Sequence, residues 1–335
     1  MFLFLNYPSW IHPEIFPGVP FLSAFRWYGL MYILAFGTAF LVLRKVKNEG
    51  HLNSQEFIAT DDDLFSFIAT GIVFLLIGAR VFSCLVYDGS DLYKSKPWLI
   101  FWPYNEQGQF TGLAGMSYHG GFIGGLFGMI VWAVKHKKPV FQWIDAMVAA
   151  IPLGYTFGRI GNFMNGELFG RVTTVPWGMV FPNATPFLAS EEWVQECAGK
   201  VGMETGDSVF VNLPRHPSQL YEAFFEGLVL WLIIWLCRNH RKWFGMLSSI
   251  YMTGYGLFRF FIEYFRQPDE GLGYKFDIYH TTSFWDFSVG QKLCLGMVFG
   301  GILLGVCTFF YEKKKGTVLV NGKLVVSKSK KAKAR

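Results

Sequence analysis

LFSFIATGIVFLLIGARVFSCLVY, residues 64–87, runs for 24 residues with a single charge, Arg80. A helix rises about 1.5 Å per residue, and crossing the hydrocarbon core of a bilayer takes about 20 mostly apolar residues. The stretch therefore reads as a transmembrane helix, and the rest of the chain follows it. Of 335 residues, 52% are hydrophobic and 16% charged. The mean hydropathy is +0.30, outside the usual balance of a soluble domain. Apolar segments at 27–43, 64–87, 119–134, 144–163, 219–237, 246–265 and 293–311 predict an all-α, polytopic integral membrane protein with seven spans. The third is short, and the fourth is interrupted by Pro152, Gly154 and Gly158, which neighbouring helices make tolerable.

Lysine and arginine are retained on the cytoplasmic side. Segments 44–63, 135–143, 238–245 and the stretch from 312 hold 18 of the 30 Lys+Arg, whereas the longer segments 1–26, 88–118, 164–218 and 266–292 hold nine. This predicts an N-terminus outside and a C-terminus in the cytoplasm. Residues 1–311 form the transmembrane unit, with a small extracytoplasmic head at about 164–218. Residues 312–335 read as a basic, disordered tail suited to anionic lipid head groups, with little support for nucleic acid. Asn6, Pro8, His12, Glu14 and Pro17 break up the N-terminal segment, so a cleaved signal is not expected.

Cys84, Cys197, Cys237, Cys294 and Cys307 have no paired spacing, and no His/Cys cluster or glycine-rich phosphate loop is present. No metal or cofactor is called for. The chain also lacks the internal repeat that many carriers show.

Three arginines fall within spans. Counting along the helices places Arg80, Arg159 and Arg259 in the outer third of the second, fourth and sixth spans, a depth at which charge is expensive. Tyr255, Arg259 and Glu263 are spaced by four and Arg266 follows by three, a polar stripe on one helical face. Such a stripe serves either as an internal ion pair joining helices or as a binding surface. Arg159, Asn162 and Asn165 share a side of the fourth span until the glycines near Gly166 break it, and Glu167 lies just beyond. These side chains either cap a helix end or bind an anion, and the density of donors favours the anion.

Tyr28, beside Trp27, is equally consistent with an interfacial anchor. His119 precedes glycines 120, 121, 124, 125 and 128, a small-xxx-small pattern for close helix packing. Asp145 reads as an N-cap of the fourth span. His216 and Gln219 read as caps of the fifth, with Glu222 paired inside the membrane. Arg80 and Arg266 are open to either a lipid-entry or a structural role.

Guanidinium groups at this depth suit a phosphate, because they stay charged and donate several hydrogen bonds. The expected cavity receives a phospholipid head group. A carrier that binds the same phosphate, or a scaffold held by buried ion pairs, fits the same residues.

GRIGNFMNGELFGR (158–171), SYHGGFIGG, RWYGLMY, PRHPSQLYEA and GYGLFRFFIEYFRQPD together resemble the prolipoprotein diacylglyceryl transferase family, from about Tyr7 to the seventh span. The resemblance implies a bacterial inner-membrane enzyme with its site facing the periplasm. Its donor is phosphatidylglycerol and its acceptor the lipobox cysteine of a preprolipoprotein. The product is a thioether, released with glycerol-1-phosphate. It also implies importance for Tyr28, His119, Arg159, Asn162, Glu167, Gly170, Tyr255, Arg259 and Glu263. A thiol with a pKa of about 8.5 reacts as thiolate. The expectation is that Arg159 and Arg259 hold the phosphate and supply the field. His119 is the preferred base, and the arginine field alone is the alternative. Loop 88–112, the insertion near 183–212 and the basic tail lie outside the common core.

Overall fold

The computed structural model describes residues 4–22, 25–54, 56–88, 91–104, 108–110, 112, 115–206, 208–267 and 287–326. It divides into two compact units, Leu43–Ala146 and a second made of Met1–Val42 with Met147–Arg335. The chain leaves the second unit within helix α1 (Trp27–Asn48) and returns to it within α4 (Val140–Val148).

In the unit Leu43–Ala146, α2 (Asp61–Phe82) starts at a reciprocal cap. Asp63 N donates to Thr60 Oγ1 at 3.1 Å, and Thr60 N donates to Asp63 Oδ2 at 2.9 Å. Three aspartates in the first turn complement the positive helix end. A π-helical turn, Ser83–Tyr87, extends α2. Helix α3 (Tyr118–Lys135), capped by Ser117, packs on α2 backbone to backbone. A Cβ at Gly120 would sit 2.3 Å from the Gly78 carbonyl oxygen, and one at Gly124 would sit 2.2 Å from that of Phe74. Only glycine allows this separation, so the small-residue spacing read in the sequence is the seam between these two helices. Phe67, Trp132 and Trp143 close the other end, with ring centroids 4.6–5.2 Å apart.

The other unit holds the first part of α1, α5 (Ile151–Met164), α7 (Ser218–His240), α8 (Met246–Ile262) and α9 (Val289–Lys315). Helix α7 contains a π-helical stretch, Ala223–Val229, inside its α-helical path. Helices α8 and α9 pack closely, and Ser249 Oγ donates to the Gly301 carbonyl at 2.8 Å.

Between α5 and α7 the chain builds a small mixed segment with its own core. It includes β2 (Met179–Val180), β3 (Phe187–Leu188), α6 (Glu192–Val201) and β4 (Phe210–Val211). Strand β1 (Leu5–Asn6) pairs parallel to β2, in register Leu5 with Met179, and β3 pairs antiparallel to β4. Phe187, Val194, Ala198, Val211 and Leu213 are its buried centre.

The seven expected spans all fall on helices. Five helical stretches are long and apolar enough to cross a membrane: Trp27–Asn48, Asp61–Tyr87, Val140–Met164, Ser218–His240 and Val289–Lys315. Helices α3 and α8, 18 and 17 residues long, are the shorter two. The fourth span is two helices, α4 and α5, which meet at Ala149–Ala150 because Pro152 lies in the first turn of α5 and fits a helix start.

Asp145 is not an N-cap. Helix α4 begins at Val140, directly after Pro139, which leaves Asp145 buried inside it. Pro217 holds the cap position of α7 with no side-chain hydrogen bond, so neither His216 nor Gln219 caps it.

The tail expected to be disordered from 312 is ordered as far as 326. Helix α9 continues to Lys315 and stops at Gly316 with φ 69°. Strands β5 (Val318–Val320) and β6 (Lys323–Val326) then form a hairpin around Asn321 and Gly322, both at positive φ. Asn-Gly is the preferred sequence for this two-residue turn. Arg241 Nε donates to the Gly322 carbonyl at 2.8 Å and ties the hairpin to the loop after α7. Residues 327–335 and 268–286, including Lys275, lie outside the described residues.

Candidate active site

The signature stretch folds as the end of α5 and a reversal. One face of α5 presents Tyr155, Arg159 and Asn162 at helical spacing. Asn165 is the C-cap, and Gly166 turns the chain with φ 64°. Glu167 is thereby folded back on the helix. Its Oε1 accepts from Asn162 Nδ2 at 2.9 Å and from Asn165 Nδ2 at 3.3 Å. Asn162 Oδ1 in turn accepts from Arg159 Nη1 at 3.3 Å. Glu167 therefore orients Asn162, and Asn162 orients Arg159. Helix α7 secures the reversal from its own first turn: Gln219 Nε2 donates to the Glu167 carbonyl at 2.6 Å and Ser218 Oγ to that of Leu168 at 3.2 Å.

Beyond Arg159 lies a network of three arginines and three glutamates from α5, α7, α8 and the turn that follows α8. Glu222 is its hub. Glu222 Oε2 lies 2.9 Å from Arg159 Nε and 3.0 Å from Arg259 Nη1, and Oε1 lies 3.3 Å from Arg266 Nε. Arg259 also reaches Glu226 Oε1 at 3.8 Å and Glu263 Oε2 at 3.4 Å, and Arg266 Nη1 reaches Glu263 Oε2 at 3.5 Å. Tyr155 joins Glu222 Oε2 at 3.2 Å and Glu226 Oε2 through its hydroxyl, and its ring lies under the Arg159 guanidinium at 4.7 Å.

Glu222, just before the π-helical stretch that begins at Ala223, and Glu226 inside it are four residues apart on α7 and meet the same Tyr155 hydroxyl. Such local widening is frequent at functional sites. The side chains of Glu222 and Glu226 are fully covered, whereas those of Arg159, Arg259 and Arg266 keep 16%, 15% and 11% of their surface open. Fully covered carboxylates thus pair with guanidinium side chains that keep part of their surface open.

The remaining residues singled out in the sequence divide by unit. In the same unit as the network, Tyr28 stands on the first turn of α1 against Gly161, where a Cβ would lie 3.0 Å from its ring. Its hydroxyl is 3.3 Å from that of Tyr32. Tyr255 packs edge-on against Tyr155, with centroids 6.0 Å apart. Glu263 is the C-cap of α8.

Gly170 makes a close backbone approach. Its N donates to the His216 carbonyl at 2.8 Å, and an added Cβ would fall 2.3 Å from the Phe265 carbonyl oxygen. The next residue, Arg171, donates from its N to Phe265 O at 2.9 Å and from Nε to Arg266 O at 2.9 Å. The signature strand is thereby laced to the chain that carries Arg266.

In the unit Leu43–Ala146, Arg80 is buried. It donates from Nε to the Ile100 carbonyl at 2.6 Å and from Nη1 to the Gly115 carbonyl at 3.3 Å. Its guanidinium clasps the loop that follows α2. His119 is exposed on the first turn of α3, with Nδ1 2.7 Å from the Tyr87 hydroxyl.

The acidic half of the network was the part least visible in the sequence. Glu226 and Tyr155 were not singled out, and Glu222 was read only as an intramembrane partner. The available signal was Glu222 and Glu226 at i,i+4 inside an apolar span, two carboxylates that require cations in the membrane.

A mostly helical chain with five membrane-length apolar helices and a covered arginine–glutamate network open along one edge belongs to the class of polytopic membrane proteins with a charged internal site. A family model described as prolipoprotein diacylglyceryl transferase matches residues 19–307. The phosphatidylglycerol–prolipoprotein diacylglyceryl transferase of Treponema pallidum (strain Nichols) is 51% identical over 314 residues, covering 90% of this chain and 94% of the relative. That of Treponema denticola is 49% identical over 334 residues, covering 94% and 97%. That of Chlorobaculum tepidum is 39% identical over 323 residues, covering 94% and 96%. The chain belongs to the prolipoprotein diacylglyceryl transferase family.

Proposed function

We propose that this chain transfers the diacylglyceryl group of phosphatidylglycerol to the thiol of a lipobox cysteine in a preprolipoprotein, the first step of bacterial lipoprotein maturation. The observation that carries the reading is the pair Arg159 and Arg259, both partly open and both held by the fully covered Glu222. In this reading the phosphodiester docks on those edges, within reach of Asn162 and Tyr28. The thiolate attacks the glycerol carbon bonded to the phosphate oxygen. A C–S bond forms, the C–O bond breaks, and its electron pair leaves on glycerol-1-phosphate. The guanidiniums stabilise the charge that grows on the departing group.

The thiol proton is assigned to His119. Tyr87 and the Nδ1 of His119 share one hydrogen bond. The base role requires Nδ1 to be the protonated nitrogen, donating to the Tyr87 oxygen, with Nε2 as the accepting nitrogen. His119→Gln separates this from activation by the arginine field. Loss of the acidic limb of the pH–rate profile supports the base, and an unchanged profile refutes it.

The same reading places seven helices in the membrane, with α3 and α8 as the two short ones, the N-terminus outside and the C-terminus in the cytoplasm. The segment between α5 and α7 then lies on the outer face of the inner membrane. The basic loops support this orientation. Arg80 is assigned to shaping the loop after α2, because its donors are engaged by carbonyls.

The test incubates the purified protein with phosphatidylglycerol vesicles and a lipobox peptide and weighs the peptide by mass spectrometry. A diacylglyceryl adduct on the cysteine peptide, absent from a Cys-to-Ser peptide, is the expected result. Lipid movement between vesicles without adduct overturns it in favour of a carrier.

A further inference from the structure

We propose that the hairpin at 318–326 is a membrane-surface element. Its outer valines settle at the boundary between head groups and acyl chains, and Lys313, Lys314 and Lys323 around them hold anionic phospholipid.

Helix α9 sets the position. Its 27 residues make it about 40 Å long, against a hydrocarbon core of about 30 Å. Its end therefore reaches the head groups, and the last turn there carries Lys313, Lys314 and Lys315. Gly316 stops the helix, and β5 begins two residues later at Val318. Thr317 fixes the exit: its N donates to the Glu312 carbonyl at 3.1 Å and its hydroxyl to the Glu312 carboxylate. A connection this short keeps the hairpin beside the bilayer.

The strands show what the hairpin lacks. Alternate residues of a strand face opposite sides, and residues paired across two strands share a side. Leu319 pairs with Leu324, and Val320 with Lys323. The two leucines are half-buried, and the turn between the strands is held by the buried Arg241 through the Gly322 carbonyl. On the other side Val318 and Val320 keep 47% and 54% of their surface open, with Lys323 exposed beside them. A sheet with one side on protein and the other in water turns polar residues outward. This hairpin is apolar on both sides, and two strands alone are marginally stable in water. The valine side calls for a cover of its own.

Charge identifies that cover. After Glu312 the sequence has nine Lys and Arg and no Asp or Glu, and the loop after α7, to which the hairpin is tied, adds the exposed Lys242. A second copy of this face would bring like charges together. Nucleic acid would match the lysines and leave the valines in water. An anionic lipid surface takes both, the valines among acyl chains and the lysines against phosphates.

The test uses full-length Val318→Cys and Val320→Cys in nanodiscs of phosphatidylcholine, alone or mixed with phosphatidylserine. Each is labelled with a neutral, water-soluble maleimide, and peptide mass spectrometry separates the new site from the five native cysteines. Asn321→Cys, exposed at the turn, experiences the same surface potential and corrects for its effect on thiol reactivity. Labelling at 318 and 320 relative to 321 should be about tenfold slower with phosphatidylserine present. Adding Lys313→Gln, Lys314→Gln and Lys323→Gln should recover about threefold of that or more. Two labelled positions keep the result readable if one variant does not fold.

Equal labelling in the two lipids, fast or slow, overturns the proposal, as does a slowing that survives loss of the three lysines. Protection found only in native membranes would mean a protein partner and would overturn it too. Phosphatidylserine is not the donor proposed above, so the outcome stands whether or not the chain forms a diacylglyceryl adduct.

Discussion

Glu222→Gln tests the network at its hub, and the structure sets the size of the effect. Glu222 is in contact with all three arginines, at 2.9, 3.0 and 3.3 Å, and its side chain is completely covered. Breaking a buried ion pair by removing one partner costs about 3–5 kcal/mol, because the other charge stays behind without compensation. The three pairs share one carboxylate, so their losses do not add. Each arginine also keeps 11–16% of its surface open, where water recovers part of the loss. Glutamine preserves an acceptor of the same shape.

The net expectation is a loss of roughly 3 kcal/mol, and at about 2–4 °C per kcal/mol the midpoint should fall by roughly 6–12 °C. Thermal unfolding in detergent, followed by a dye that reacts with the buried thiols of Cys84 and Cys294, reads it directly. Loosened guanidiniums should also lower kcat/KM by about a hundredfold, since displacements near 1 Å are enough for that. A midpoint within about 2 °C of wild type, together with transfer within about threefold, would refute Glu222 as the element that holds the arginines.

Gly170→Ala should destabilise by about 1–3 kcal/mol or more, because its methyl would fall 2.3 Å from the Phe265 carbonyl oxygen. The control is Gly158→Ala, where nothing lies within 4 Å, and equal midpoints for the two variants would refute the close approach. His216, whose Nδ1 faces the Tyr221 hydroxyl at 3.2 Å, has its pKa lowered to about 4 by burial first and by the Arg171 charge second. Unfolded histidine titrates near 6.5, so the unfolded chain binds more protons between these values and stability rises with pH across the window. Stability should therefore be complete above about pH 6.5 and decline toward pH 4, by at most about 3 kcal/mol and less in practice because His216 is only partly covered. Thermal midpoints at pH 5 and pH 7 should converge in His216→Asn, and an unaltered pH dependence would refute the assignment.

The helices were legible because the bilayer imposes length and composition on every segment that crosses it. Five helical stretches long and apolar enough to cross a membrane fall on expected segments, and the glycines after His119 marked the α2–α3 seam. Caps and breaks were less legible, since they depend on local proline chemistry. Pro139 and Pro152 moved the helix starts that Asp145 and the interrupted fourth span had suggested. The ordered hairpin at 318–326 was missed because its basic residues dominated the reading, although Asn321-Gly322 is a strong turn signal. In the site, arginine spacing on α5 and α8 identified one half of the network. Glu226 was passed over although its i,i+4 spacing from Glu222 inside an apolar span was readable, because the reading followed the cations and not the carboxylates.

The acidic half changes what the arginines are for. Three guanidiniums packed without counter-charges would repel one another and would bind an anion so tightly that a doubly charged leaving group could not depart. Sealed carboxylates reduce the charge, and the side chains of Arg159 and Arg259 keep 16% and 15% of their surface open. The donors keep their geometry and lose most of their excess field. A site that must hold a phosphodiester and then release a phosphate monoester needs that combination, directional hydrogen bonds with a small net charge, more than it needs maximal attraction.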